Sequence, residues 1–162
     1  MAEIDSTVEK LKERFPSSLL GVTTFRGEVT LTIAKKDIYP ICKFLYSEPG
    51  LEYRFLTDLC GLDYFPGSPR FEVVYFLCSM KSNRRLRLKV RVGEGEAVFS
   101  VESIWKAANW LEREVYDLFG ISFENHPDLR RILLWDGYEG HPLRKDYPVE
   151  GPDFDKPFVP EV

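Results

Sequence analysis

The sequence predicts an α+β fold, a two-layer domain in which helices pack on a mixed, mostly antiparallel sheet. Hydrophobic periodicity gives the order helix, two strands, helix, three strands, helix, and then an irregular tail. With 162 residues, of which 44% are hydrophobic, the chain is long enough for one domain with its own core. We expect this domain over residues 1–146 and an extended, proline-rich tail over residues 147–162.

The amino-terminal part is predicted to form a helix and a β-hairpin. Residues 5–15 place their apolar side chains on one stripe, and Ser6 and Glu9 have the spacing of a capping box. The runs 19–25 and 28–33 are rich in Val, Thr, Leu and Ile, which favours strands. The Arg-Gly pair between the two runs suits a tight hairpin turn.

A second helix and three strands are predicted next. Asp37 can cap a helix over about 38–47, which a Pro-Gly pair ends. Strands follow over residues 52–60, 71–79 and 85–92. The middle strand is apolar at both parities, as a central strand would be.

The last of these strands alternates strictly between basic and apolar residues. Its apolar side chains must face the core, and they are Leu86, Leu88, Val90 and Val92. Its basic side chains then line the other face of the sheet, and they are Arg85, Arg87, Lys89 and Arg91. This basic row is either a solvated face or a contact with an acidic patch on a neighbouring protein.

A third helix is predicted over about 104–119, with Ser103 as its N-cap and Gly120 at its end. Helical projection places Glu112 inside the apolar arc, where a carboxylate is costly unless it is paired or hydrogen-bonded. The candidate cationic partners all lie downstream, and they are Arg130, Arg131, Arg144 and Lys145.

Trp110 falls on the polar face of the same helix. That face also carries Arg113 and Asp117. Trp110 is therefore either covered by a loop of its own chain or available as an anchor for another protein, since aromatic side chains favour interfaces.

Composition and residue spacing exclude several classes of function. A net charge of −4 argues against a general nucleic-acid binder, which needs a basic excess. The sequence contains no glycine-rich phosphate loop, no HExxH zinc motif and no recognisable nucleophile motif. Three dispersed cysteines and two histidines do not form a ligand set. We therefore expect no metal, no bound cofactor and no catalytic residue in this chain.

The same features predict a cytosolic chain without a membrane span. An odd number of cysteines without CxxC spacing fits a reducing compartment. The amino terminus lacks the basic and apolar regions of a signal peptide, and no apolar run is long enough to cross a bilayer.

Three blocks of sequence resemble the 30 kDa subunit family of respiratory complex I. The first block combines Glu112-Arg113-Glu114, Asp117-Leu118-Phe119, His126, Arg130 and Ile132-Leu133 at fixed spacings. The second block is Gly140-His-Pro-Leu-Arg144-Lys-Asp146-Tyr147, and the third is Phe55-Leu-Thr-Asp-Leu-Cys-Gly-Leu-Asp63-Tyr64. The likeness extends over about residues 50–150.

This resemblance implies a structural or assembly role in the peripheral arm of a proton-translocating NADH:quinone oxidoreductase. In the family, FMN, the iron–sulfur clusters and the quinone site belong to other subunits. The neighbours implied are chiefly the 49 kDa subunit and the cluster-bearing subunits B and I. The implied location is peripheral, on the cytoplasmic side of the cell inner membrane, as part of a membrane complex.

Two sets of residues are candidates for these roles. The family-signature residues, with structural roles, are Glu112, Arg113, Glu114, Asp117, His126, Arg130, Arg144 and Asp146. The candidate contacts with partner subunits are Trp110, Trp135, Tyr147, Phe154 and Phe158. The last three follow one another along the tail, whose four prolines exclude a helix and a central strand.

Two other functions remain open from the sequence. One is the equivalent subunit of a related membrane-bound hydrogenase, a ferredoxin- or F420-linked dehydrogenase, or a plastid-type complex. The other is a small autonomous enzyme that uses Asp58, Asp63 or Glu112 as an acid or base.

Overall fold

The computed structural model describes residues 2–150, with side chains from residue 6 onward. The elements in chain order are α1 (Ala2–Arg14), β1 (Leu19–Phe25), β2 (Glu28–Ile33), α2 (Ile38–Ser47), β3 (Phe55–Asp63), β4 (Phe71–Ser79), β5 (Arg84–Val92), β6 (Ala97–Phe99), α3 (Ala108–Phe119) and β7 (Ser122–Glu124). A single 3-10 turn, Lys35–Asp37, precedes α2.

Five strands form one sheet in the order β1-β2-β5-β4-β3. The strand pairs β1–β2, β3–β4 and β4–β5 are antiparallel, whereas β2 and β5 run parallel. The predicted α+β fold with a mixed, mostly antiparallel sheet is therefore confirmed. The sequence does not predict β6 and β7, which form a separate parallel pair on either side of α3 in the chain.

The core lies against the sheet face that the alternation of β5 predicts. Leu86, Leu88, Val90 and Val92 are all buried. The helices supply further buried side chains, which include Leu11 of α1 and Ile38, Ile41 and Leu45 of α2. Each fully buried aliphatic side chain stabilises the fold by about 1.5–3 kcal/mol relative to an exposed one.

The basic residues of β5 lie on the opposite, outer face, and most of them pair within the sheet. Arg87 pairs with Glu28 at 2.7 Å, and Lys89 pairs with Glu72 at 2.9 Å. The Arg91 guanidinium lies 4.1 Å from the centroid of the Tyr64 ring. These three residues therefore have partners within their own chain.

The structure shifts several of the predicted boundaries. α1 spans Ala2–Arg14 and not residues 5–15. β3 spans Phe55–Asp63 and not residues 52–60, because residues 49–51 form a turn and Glu52 has a positive φ of 46°. α3 begins at Ala108, one turn later than predicted, because the amides of Ile104 and Trp105 bond back to Val101.

Three predicted caps are wrong. Ser6 lies inside α1, which begins at Ala2, because residues 2–5 contain no helix breaker. Asp37 does precede α2, but its carboxylate accepts a hydrogen bond from Ser18 Oγ at 2.7 Å and makes no capping bond. Ser103 lies outside α3, and its hydroxyl is 3.3 Å from that of Tyr39.

Candidate functional site

α3 buries three ionisable side chains, and these organise the irregular segment that follows the helix. Glu112 and Asp117 have no exposed surface, and Arg113 is almost fully buried. Gly120 ends the helix with a φ of 74°, as predicted, in the left-handed region that glycine adopts without strain. Arg113 and Asp117 lie on the polar face of the helical projection, but both are buried because the segment after β7 covers them.

Asp117 holds that segment through four hydrogen bonds. The consecutive amides of Ile132, Leu133 and Leu134 all donate to its Oδ2 at 2.8–2.9 Å. Arg131 Nη1 donates to Oδ1 at 2.6 Å. Burial alone would raise the pKa of Asp117, but these bonds together hold the pKa below its ordinary value. The carboxylate therefore stays charged and fixes the backbone of residues 131–134.

Arg113 attaches the same segment to the middle of α3. Its guanidinium donates to the carbonyls of Arg130 and Arg131 at 3.1 and 3.0 Å. It also lies 5.4 Å from the centroid of the Trp110 ring, a cation–π distance. Trp110 nevertheless remains 62% exposed, so no described loop covers it.

Glu112 is not paired with any of the four predicted cations. Its Oε2 accepts from Ser100 Oγ at 2.6 Å, and its Oε1 accepts from the N–H of Val101 at 2.8 Å. Burial raises the pKa of Glu112 to about 7, although these two bonds oppose the shift.

The three arginines instead bond other groups. Arg131 bonds Asp117, Arg130 pairs with Asp128, and Arg144 bonds Glu94 and the carbonyl of Phe119. The backbone N–H of Lys145 donates to Asp63 at 2.9 Å. The predicted ion pair of Glu112 is therefore wrong, because its carboxylate is bonded by neutral donors.

The side chain of His126 is buried beside Glu112. Its Nδ1 accepts from the N–H of Asp128 at 3.1 Å, so the ring proton lies on Nε2 and is donated to the carbonyl of Asn109 at 3.1 Å. The distance from Nε2 to Glu112 Oε2 is 4.0 Å, which is too long for a hydrogen bond.

Arg70, which precedes β4, connects the carboxy-terminal end of the segment to the sheet. The sequence alone does not single out this residue. Arg70 donates to both oxygens of Asp63 at 3.1 and 2.9 Å, and it also bonds Asp146. Burial alone would raise the pKa of Asp63, but Arg70 and the backbone donors lower it to about 2. Asp146 thus connects the end of the segment to Arg70, next to β4.

Exposed apolar side chains project from this fixed segment. Leu133 is 61% exposed and Trp135 is 59% exposed. The Trp135 ring packs edge-on against Tyr138, whose hydroxyl is 2.6 Å from that of Tyr147. Among the signature residues, Glu114 and Arg130 are also exposed. Phe154 and Phe158 lie outside the described residues.

The described residues do not bring a set of reactive groups together. Within residues 2–150, no three His, Cys, Asp or Glu side chains are placed to hold a metal ion. Of the three acid–base candidates, Glu112 is bound to Ser100, Asp63 is bound to Arg70, and Asp58 lines a depression of about 540 Å³ on the outer sheet face. No helix in the described part of the chain is long and apolar enough to cross a bilayer.

The comparisons with known proteins agree on one family. The sequence model of "Respiratory-chain NADH dehydrogenase, 30 Kd subunit" matches residues 31–153. A subunit of the NADH-quinone oxidoreductase from Geotalea uraniireducens is 54% identical over 154 residues, which are 94% of this chain and 93% of that protein. The like-named protein from Geobacter sulfurreducens is 52% identical over 155 residues, which are 94% of each chain.

Two solved structures are similar to this fold. Nqo5, solved as a trypsin-resistant fragment, matches with a TM-score of 0.67 and 31% identity, over 78% of this chain and 99% of the fragment. A chain of the membrane-bound sulfane sulfur reductase, an archaeal respiratory membrane complex, matches with a TM-score of 0.74 and 21% identity, over 90% of this chain and 85% of that chain.

Proposed function

Because the chain belongs to the 30 kDa subunit family of respiratory-chain NADH dehydrogenases, we propose that it is a structural subunit in the peripheral arm of an NADH:quinone oxidoreductase. In such a complex, electrons pass from NADH through FMN and iron–sulfur clusters to quinone, and the reaction is coupled to proton translocation. The chain takes part in this activity as a subunit, and the redox groups lie in its neighbours.

The observation that carries this proposal is the use of the buried charges. Asp117, Arg113 and Arg131 all bond the backbone of residues 130–140. Buried charges that bond the backbone in this way hold the shape of the segment. What they hold in place is exposed and apolar, namely Trp110, Leu133 and Trp135.

Such side chains are suited to contacts with protein partners. Preformed aromatic anchors lose little conformational entropy on binding, and they carry much of the energy of protein interfaces. We assign Trp110 and Trp135 to contacts with neighbouring subunits, among which the 49 kDa subunit and the cluster-bearing subunits B and I are the expected ones. The corresponding location is the cytoplasmic side of the inner membrane.

The tail from Tyr147 to the carboxy terminus is assigned to the same role. Tyr147 is half-buried, while residues 151–162 lie outside the described part of the chain. The sequence of the tail combines prolines with Phe154 and Phe158, which suits an extended arm that lies along the surface of a partner.

Isolation of the complex through an affinity tag on this chain tests the proposal. We expect the tagged chain to co-purify with flavin- and cluster-bearing subunits and with NADH:quinone oxidoreductase activity. Subunits of a hydrogenase type would instead assign the chain to a related complex. A chain that purifies alone, from cells that contain the assembled enzyme, would contradict the proposal.

Substitution of the exposed anchors tests the assigned surface. Trp110→Ala and Trp135→Ala should each weaken incorporation by about 10-fold or more, because anchors at interfaces contribute about 1.4 kcal/mol or more each. The melting temperature of the isolated chain should stay near that of the wild type. Met80→Ala is the matched control, since Met80 is exposed in the turn after β4. Incorporation of the two tryptophan variants at the level of Met80→Ala would show that this surface is not an interface.

A further inference from the structure

β1 is an edge strand, and no described element covers its free side. It pairs with β2 on one side only. Three of its apolar side chains are exposed, Leu20 by 64%, Val22 by 43% and Phe25 by 68%. Its seven residues include no charged residue and no proline. Natural sheets usually protect a free edge with such residues, because unpaired backbone groups recruit further strands.

The opposite edge of the same sheet is protected. β3 carries two carboxylates, Asp58 and Asp63, and packs against α3. The contact is so close that a Cβ atom on Gly61 would lie 2.8 Å from the Phe119 ring. Among residues 2–150, one edge of the sheet is therefore covered and charged, and the other is neither.

The hairpin turn determines which backbone groups of β1 point outward. Arg26 and Gly27 both have positive φ, 50° and 82°, as in a two-residue type I′ turn. Such a turn makes Phe25 and Glu28 a hydrogen-bonded pair, and bonded pairs alternate along an antiparallel ladder. The N–H groups of Thr24 and Val22 therefore point away from β2.

We propose that β1 accepts an extended strand from another subunit of the parent complex, which pairs with the outward backbone groups of Val22 and Thr24. This inference rests on the proposed function, since it requires a complex. Backbone donors and acceptors in a row are complementary to an extended strand. We expect the part of the incoming strand that pairs with β1 to be uncharged. Its side chains would lie beside Phe25 on the outer face of the sheet and beside Val22 on the inner face.

The size of the edge favours another subunit over a second copy of this chain. Two strands of this length would meet along only about 23 Å. Such a contact buries less than the ~1,200 Å² that a stable specific interface needs. A subunit that is already held to this chain elsewhere does not need the strand contact to supply the whole affinity.

Hydrogen exchange of the free full-length chain and of the isolated complex tests the inference directly. In the complex, the outward amides of β1 should exchange more slowly by about 100-fold or more, because a paired strand exchanges only after it opens. The amides of β1 that bond β2 provide the internal reference. Equal exchange of the outward amides in the two states would overturn the inference.

A pair of variants isolates the backbone contribution. Thr24→Pro removes the outward N–H, whereas Thr24→Ala removes the same side chain and keeps the N–H. We expect Thr24→Pro to lower recovery in the complex by about 10-fold and Thr24→Ala to leave it unchanged. Equal recovery of both variants at the wild-type level would overturn strand addition. Should Thr24→Pro fail to fold, the exchange measurement on the wild-type chain decides.

The outcomes separate this inference from the proposed function. A wild-type chain that does not join a complex removes the basis of both. A wild-type chain that joins the complex with β1 still unprotected overturns strand addition alone. A dimer of the isolated chain that Thr24→Pro dissociates would overturn the assignment to a different subunit.

Discussion

Glu112 is a carboxylate without a cationic partner in the interior of α3. Its oxygens accept from the hydroxyl of Ser100 and the amide of Val101, so it ties the helix to the chain that precedes it. Because burial raises its pKa to about 7, the side chain changes charge near neutral pH. We therefore expect Glu112 to have a structural role in the isolated subunit, with a pH dependence.

Replacement of Glu112 by Gln should remove a specific dependence of stability on pH. The folded state binds the proton more tightly than the unfolded state, whose pKa is near 4.5, so the stabilisation is present below pH 4.5 and lost as pH rises through about 7. The contribution of Glu112 to the free energy of unfolding decreases over this range by an amount on the order of 3 kcal/mol. Urea unfolding at pH 5 and pH 8 measures it. Glu112→Gln should lose less stability over this interval than the wild type.

The matched control is Glu114→Gln, two residues away on the exposed side of α3. It removes a carboxylate that is not buried. The stability of this variant should therefore change with pH as the stability of the wild type does. If both variants follow the wild type, the ionisation of Glu112 does not contribute to stability.

At the residue level, helical projection predicts burial better than it predicts partners. It correctly places Glu112 in the interior and Trp110 on the exposed face, because both follow from the period of one helix. It also places Arg113 and Asp117 on that face, and it misses their burial because the segment after β7 covers them. It cannot find the donors of Glu112, since these depend on a turn before the helix. Arg70 was missed for a similar reason, because its partner Asp146 lies far along the chain. The one available signal was an arginine next to the apolar run of β4.

α3 packs directly on β3, and this contact positions the helix that carries Trp110. Gly61 faces Phe119 across this contact, and a Cβ atom there would lie 2.8 Å from its ring. A methyl group at this position would force the ring, and with it the end of α3, away from the sheet. The glycine is therefore required by close approach and not by a turn.

Gly61→Ala should destabilise the fold by about 1–3 kcal/mol through overpacking. Gly21→Ala in β1 is the control, because its Cβ would meet Thr32 at an ordinary 3.6 Å. Thermal unfolding of both variants measures the difference. A second substitution, Phe119→Leu, should recover part of the loss in Gly61→Ala. Equal stability of the two alanine variants would contradict a tight contact between α3 and β3.

At the element level, strong periodicity determined what could be predicted. β1, β2 and β4 have the predicted bounds, and β5 differs by one residue, because each is a long run of β-forming residues between turn residues. β6 and β7 span only three residues each, too few for a period to appear. Their pairing depends on α3, which brings distant segments together. The predicted start of β3 is wrong because the chain turns at residues 49–51 and Glu52 has a positive φ of 46°, which is incompatible with a strand.

At the level of the whole molecule, Arg70 bonds Asp146, and the hydroxyl of Tyr138 contacts that of Tyr147. We expect the tail to begin at these residues. Deletion of residues 149–162 should leave the melting temperature of the isolated chain nearly unchanged, because the bonds of Asp146 and Tyr147 remain. The same deletion should weaken incorporation into the complex, since the arm with Phe154 and Phe158 is lost.

Differential scanning calorimetry and recovery of the tagged chain in the complex measure the two effects. A shorter deletion, of residues 160–162, provides the control, because it keeps both phenylalanines. Wild-type recovery after the longer deletion, or unfolding of the isolated domain, would show that the tail is not an arm for a partner.

The parallel pairing of β2 with β5 has a consequence for synthesis on the ribosome. β3, β4 and β5 follow one another through short connections, whereas β2 must wait for β5, with α2, β3 and β4 made in between. During this interval the nascent hairpin exposes Val29, Leu31 and Ile33, because β5, which later pairs with β2, has not yet been made. Non-local pairings of this kind form slowly. We therefore expect the emerging amino-terminal hairpin to be the segment that chaperones bind first.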